Sequence, residues 1–232
     1  MAQDLGSLRG DRHVPCRVVC GDARSLEDHV EPRSIDFVFT SPPYPNEKDY
    51  TRTTRLESVL LGLIKNKKEL RQFKQSLIRS NTRNVYKADT DDRNVAWHVE
   101  IQRIADEIEQ RRVQMGKTSG FERLYARTTK LYFGGMARHL EQLKGLLRPG
   151  AHLAYVVGDQ ASYLRVMIRT GQLLTEIAES LGYHVVSIDL FRTRRSTVTR
   201  EQLREEVVVL EWKGKPSRAN PVKSHAPGAG SE

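Results

Sequence analysis

The residues best suited to chemistry are Thr40-Ser41-Pro42-Pro43-Tyr44, which follow directly on the apolar run Ile35-Asp36-Phe37-Val38-Phe39. Four of the five residues in that run are β-branched or aromatic, and this predicts a short buried strand. The double proline must end it, because proline cannot donate to a sheet ladder. A hydroxyl, a stiff pair of prolines and an aromatic tip therefore stand at a strand's carboxyl end, the edge at which open α/β sheets bind ligands. Such a turn can hold a planar polar ligand in a geometry fixed before any reaction begins.

Upstream, Arg17-Val18-Val19-Cys20-Gly21-Asp22-Ala23 predicts a second strand ending in Gly-Asp. With Asp22, Leu26 and Ser41 in that spacing, the stretch resembles the S-adenosylmethionine-dependent DNA amino-methyltransferases, which methylate cytosine N4 or adenine N6. The resemblance implies roles for Ser41, Pro42, Pro43 and Tyr44. An exocyclic amino nitrogen is a poor nucleophile because its lone pair is delocalised into the ring. The Ser41 hydroxyl and the Pro42 carbonyl, accepting both N–H hydrogens, would favour a pyramidal nitrogen whose lone pair can attack. Tyr44 would stack on a base turned out of the duplex, which is worth about 1–3 kcal/mol. Serine at the motif's first position favours cytosine N4 over adenine N6. The resemblance also implies S-adenosylmethionine as cofactor and places Asp22 at its binding site. The competing reading of Asp22 is a turn aspartate bonded to its own backbone.

Composition fits this picture. The 232 residues suffice for one α/β domain with an insertion. Lys and Arg number 38 against 29 Asp and Glu, a formal charge of +9 suited to a polyanion such as double-stranded DNA. No long apolar run predicts a membrane span, and no charged-then-apolar segment opens the chain, so a cytoplasmic protein is expected. Cys16 and Cys20 lie four apart on the predicted strand, roughly 13 Å between Cα atoms, and are expected to be reduced core thiols. The histidines show no metal-ligand spacing, and no metal is expected.

The fold class expected is α/β, a class I methyltransferase (Rossmann-like) mostly parallel sheet with a terminal antiparallel hairpin, incomplete, plus a helical insertion. Residues 1–13 read as a flexible arm, 14–64 and 121–213 as the core, 65–120 as the insertion and 214–232 as a disordered tail. After the motif, a loop over the site feeds a helix from about Thr53, with Arg52 and Arg55 on one face able to reach phosphate or a cofactor carboxylate. In the insertion, Lys67, Lys68 and Arg71 crowd one segment, Ser80 to Asn84 read as a polar loop, and Val99, Ile101, Ile104, Ala105 and Ile108 mark an amphipathic helix. Leu131, Met136, Leu140, Leu143 and Leu147 form a helical stripe ended by Arg148-Pro149-Gly150. The next strand, Ala151 to Val157, ends in Gly158-Asp159, which makes Asp159 a second candidate for cofactor binding. A helix over Gly171–Leu181, a strand over Val185–Phe191 and a last strand over Glu206–Trp212 follow. The hairpin loop between them, with Arg192, Arg194, Arg195 and Arg200, is a second candidate DNA surface.

One element of the family is missing. No strand leads into a glycine-rich loop for the cofactor's methionine end: Gly134-Gly135 lies in a helical pattern and Gly228-Ala229-Gly230 follows no strand. Two explanations keep the catalytic reading: a complementary cofactor-binding polypeptide, or self-association, supplies the cofactor half, or the sequence is a fragment of a longer one. The alternative is a non-catalytic DNA-binding or scaffolding subunit of the same fold, and RNA or a protein glutamine amide is a further possible acceptor.

Overall fold

The sheet grows outward from the strand that delivers the motif. In the computed structural model, which describes residues 15–46, 48–195 and 202–214, β1 (Ile35–Thr40) pairs in parallel with β2 (Leu147–Gly158), Thr40 opposite Tyr155. β2 in turn pairs antiparallel with β4 (Gln202–Trp212), and β4 antiparallel with β3 (His184–Arg195), giving the order β1-β2-β4-β3. β1, β2 and β3 thus run the same way, and β4 alone runs against them. This is the expected α/β sheet with its terminal hairpin. The expected arm, and the tail beyond Gly214, lie outside the described residues.

Six helices accompany the sheet in the described residues: α1 (Tyr50–Thr53), α2 (Arg55–Leu60), α3 (Lys67–Gln75), α4 (Val99–Gln114), α5 (Tyr125–Leu143) and α6 (Thr170–Ser180). The core lies on one face of the sheet. Leu153, Tyr155 and Val157 alternate inward from β2, Val208 and Leu210 from β4, and they meet Phe133, Met136 and Leu140 of α5 and Leu173, Leu174 and Ile177 of α6. α4 adds Ile101, Ile104 and Ile108 to the same core, so the carboxyl part of the predicted insertion packs with the core. At Gly134 a side chain is excluded: a Cβ there would lie 1.8 Å from the carbonyl oxygen of Asp91. This glycine lets the 3₁₀ turn Asp91–Val95 close onto α5.

Several expectations are corrected. Residues 15–20 form no strand and are exposed, with Val18 94% accessible, so Cys16 and Cys20 are surface thiols instead of core ones. Two adjacent valines favour extended backbone, but a strand needs a partner ladder and none of the described residues offers one there. β1 is an edge strand: Phe37 and Phe39 are exposed on the face opposite the core, where Val156, Val207 and Val209 are half-buried. The helix expected from Thr53 starts at Tyr50 and breaks at Thr54, separating Arg52 from Arg55. Val99 opens α4 but faces solvent. Leu147 and Arg148-Pro149-Gly150 belong to β2, since the helix already ends at Leu143. The three hairpin arginines, Arg192, Arg194 and Arg195, extend β3; Arg200 lies outside the described residues.

Candidate active site

β1 ends at Thr40, and the proline pair turns the chain across the carboxyl end of the sheet. Ser41 is exposed, Pro42 buried, and Pro43 and Tyr44 half-buried. Tyr44 lies beside the end of β2, where a Cβ on Gly158 would be 3.1 Å from its Cε2. The Tyr132 hydroxyl, fully buried and without a partner among the described residues, lies in the same region; its pKa is raised by burial and by the neighbouring Tyr44 and Tyr50 hydroxyls.

The first Gly-Asp corner is tied to the same rim by a buried histidine. His139 of α5 donates from Nδ1 to the Ala23 carbonyl at 2.7 Å and accepts at Nε2 from the Tyr155 hydroxyl at 2.8 Å. A carbonyl can only accept, which fixes the neutral tautomer. Burial holds the His139 pKa below its ordinary value, and the bond to Ala23 and the Asp22 charge offset only part of that.

Asp22 itself is committed to Arg24. The Arg24 backbone and Nε reach Oδ1 at 2.9 Å each, and Nη2 reaches Oδ2 at 2.7 Å. Burial alone would raise the Asp22 carboxyl, but the bonds and charge of Arg24 outweigh it and hold it below the usual range. Arg24 continues to Asp91 at 2.6 Å and to the Gln75 carbonyl at 3.1 Å, clamping the corner to the insertion. Asp159 follows directly on the end of β2. It is buried, accepting from Arg169 at 2.5 Å and from the Arg204 backbone at 3.3 Å.

Downstream of Tyr44 the loop is held by Asp49. Its Oδ1 caps α1 through the Thr51 backbone at 3.1 Å and accepts from the Thr51 hydroxyl at 2.7 Å, and its Oδ2 meets Lys74 of α3 at 3.1 Å. Burial raises the Asp49 carboxyl, and these partners together bring it below its ordinary value. A cleft of about 360 Å³ results. Ser41 and Pro43 line one side with Gly21 and Ala23, Tyr50 stands in the wall, and the insertion supplies Ser76 to Ile78, Ser80, Asn81 and Asn84.

Asn81 and Asn84 line this cleft, although the polar run Ser80-Asn81-Thr82-Arg83-Asn84 reads as a solvated loop. The one available signal was its Asn-rich composition, which suits base recognition as well as turns. Among the expected DNA contacts, Lys67 and Lys68 open α3 and are exposed, and Arg71 lies over the Tyr86 ring at 5.8 Å. Arg52 and Arg55 are exposed beside the cleft loop, Arg55 bonding to the Thr51 carbonyl at 3.3 Å. Arg192 pairs with the buried Glu205, and Arg194 approaches it at 3.7 Å. No described helix is long and apolar enough to cross a membrane.

No family model matches the chain. The type II methyltransferase M.AvaI of a Nostoc species is 29% identical over 177 residues, which are 72% of this chain and 34% of that protein, and the M.AvaI of Anabaena variabilis matches equally. The type II methyltransferase M.BsoBI of Geobacillus stearothermophilus is 27% identical over 206 residues, 78% of this chain and 39% of its own length. A solved structure from Thermus thermophilus, provisionally named a DNA modification methylase, superposes on 87% of this chain and 54% of its own with 13% identity and a TM-score of 0.40. The chain spans about a third of the length of the curated relatives it matches. The sequence similarity of the chain is thus to proteins named type II methyltransferases.

Proposed function

We propose that the chain is the acceptor-binding part of a DNA amino-methyltransferase, with cytosine N4 favoured over adenine N6 as the methylated atom. The observation that carries this reading is Ser41, exposed at the end of β1 and lining a cleft with the Gly21–Ala23 corner. The Ser41 hydroxyl and Pro42 carbonyl accept the two amino hydrogens of an extruded base, freeing the nitrogen lone pair. Tyr44, half-buried and seated beside Gly158, stacks on that base. Lys67, Lys68, Arg71, Arg52 and Arg55 hold phosphates of the flanking duplex, with Arg192, Arg194 and Arg195 as a second surface.

S-adenosylmethionine, the methyl donor implied by the resemblance, supplies an electrophilic methyl group. The described residues do not fit it as a whole. No glycine-rich turn follows a strand beside Ser41, both Asp22 oxygens are engaged by Arg24, and Asp159 is buried against Arg169. Its binding is therefore assigned to no residue here beyond the Asp22 corner as a bordering wall. A complementary polypeptide, or a second copy of the chain, would complete the site. The edge of β1, unpaired among the described residues, and the exposed Phe37 and Phe39 favour such an association. The same missing turn favours one second reading, a non-catalytic DNA-binding subunit, which predicts salt-dependent DNA affinity without methyl transfer.

Mass spectrometry of nucleosides from the DNA of cells expressing the chain together with the polypeptide that completes its cofactor site tests the proposal. N4-methylcytosine, lost in a Ser41→Ala variant, is the expected result. N6-methyladenine alone would overturn the choice of base, and no methylated amino base in these cells would overturn the catalytic reading.

A further inference from the structure

Tyr50 is the one aromatic side chain among the described residues that line the cleft with Ser41 and Pro43. Tyr44 does not line it: its half-buried ring lies against the end of β2, where a Cβ on Gly158 would be 3.1 Å from Cε2 and 3.5 Å from Cζ. Tyr50, by contrast, is 51% exposed, so a ligand can reach its ring. Its backbone is fixed from both sides. Asp49 before it caps α1 and is tied to Lys74 of α3. The Tyr50 carbonyl accepts from the Thr53 hydroxyl at 3.0 Å, the Thr54 hydroxyl at 2.9 Å and the Thr54 backbone at 3.0 Å. Partial burial and the nearby Tyr44 raise the pKa of the Tyr50 hydroxyl, in keeping with two phenols standing close together. An anchored backbone that presents an open aromatic face loses little conformational freedom when a planar ligand stacks on it.

We infer that Tyr50 is a base-stacking residue of this cleft, so that the base whose amino group meets Ser41 and Pro42 is gripped by two tyrosines, Tyr44 and Tyr50. The inference rests on the reading that the cleft receives an extruded base, and it names a contact that the Ser-Pro-Pro-Tyr turn does not contain. Stacking engages the flat face of a base and leaves its edge free, so Tyr50 adds affinity for any base without choosing among them. The choice stays with the acceptors at Ser41 and Pro42. The Tyr50 hydroxyl has no part in stacking, so phenylalanine should serve in its place.

Two single-stranded oligonucleotides of equal length test this on the full chain: one carries a single cytosine among abasic deoxyribose phosphates, the other is wholly abasic, and both offer the same phosphates. By fluorescence anisotropy the wild type is expected to bind the cytosine-bearing oligomer about tenfold more tightly. Tyr50→Leu should bring that ratio toward one and Tyr50→Phe should keep it, with affinity for the abasic oligomer the same in all three proteins. That shared affinity and the phenylalanine variant separate lost stacking from lost folding. A ratio kept in Tyr50→Leu, or lost equally in Tyr50→Phe, would overturn this inference; its loss in Tyr44→Leu instead would leave the methyltransferase reading standing. Equal binding of the two oligomers by the wild type would overturn the reading of the cleft as a base site as well.

Discussion

The ring of Tyr44 fills the space that a side chain on Gly158 would need: a Cβ there would lie 3.1 Å from Tyr44 Cε2 and 3.3 Å from Glu205 Cγ. The motif's aromatic tip is therefore seated by the strand next to the one that delivers it. Gly158→Ala should displace the ring by a few tenths of an ångström. We expect methyl transfer to fall about tenfold, while stability drops by only about 1–2 kcal/mol. Activity assays paired with thermal melts check this; equal activity would mean that the seat of Tyr44 does not matter.

Lys74 holds Asp49 across the loop that closes the cleft. Replacing it by methionine leaves a buried carboxylate served only by Thr51, and losing one partner of a buried pair costs about 3–5 kcal/mol. Urea unfolding should show a loss near the lower end of that range, because Lys74 is partly accessible. Asp49→Asn, which removes the charge with its partner still in place, should cost less.

His139 gives stability a pH dependence. Its folded pKa lies below the ordinary value of 6.5, so between the two values the unfolded chain binds the extra proton. Stability from this group is complete above about pH 6.5 and declines as pH falls toward the folded value, by no more than about 1.4 kcal/mol per pH unit. His139→Gln should flatten this part of the profile in denaturant titrations at pH 7.5, 6.5 and 5.5, values chosen to bracket roughly the histidine range.

Lys67 and Lys68 should contribute to DNA affinity through charge alone. Changing each to glutamine is expected to reduce the slope of log affinity against log salt by about 1, with the loss similar for unrelated DNA sequences. Fluorescence anisotropy at several salt concentrations measures it, and an unchanged slope would remove α3 from the DNA surface.

The legible parts of this chain are those written locally. A β-branched and aromatic run followed by two prolines fixes a strand and its end without help from elsewhere, and Leu173, Leu174 and Ile177 mark their helix by spacing alone. Readings failed where a distant partner decides. Val18 and Val19 look like a strand, yet among the described residues β1 pairs only with β2, and residues 15–20 join no ladder. The burial of Asn81 depends on Lys48 and that of Ser80 on Tyr163, which donates to its carbonyl at 3.1 Å across 83 positions. No window around Ser80 to Asn84 contains that information, so a polar run reads as surface and the cleft wall goes unseen.

The central claim, that the Ser41 hydroxyl helps hold the attacking amino group, is tested most directly by single-turnover methyl transfer to DNA by wild type and Ser41→Ala, each with the cofactor site completed by its complementary polypeptide, measured beside duplex affinity. The account predicts a loss of about 10²–10³ in rate, the scale of removing one preorganised hydrogen-bonding group, with DNA affinity unchanged. Transfer by Ser41→Ala at the wild-type rate would contradict it.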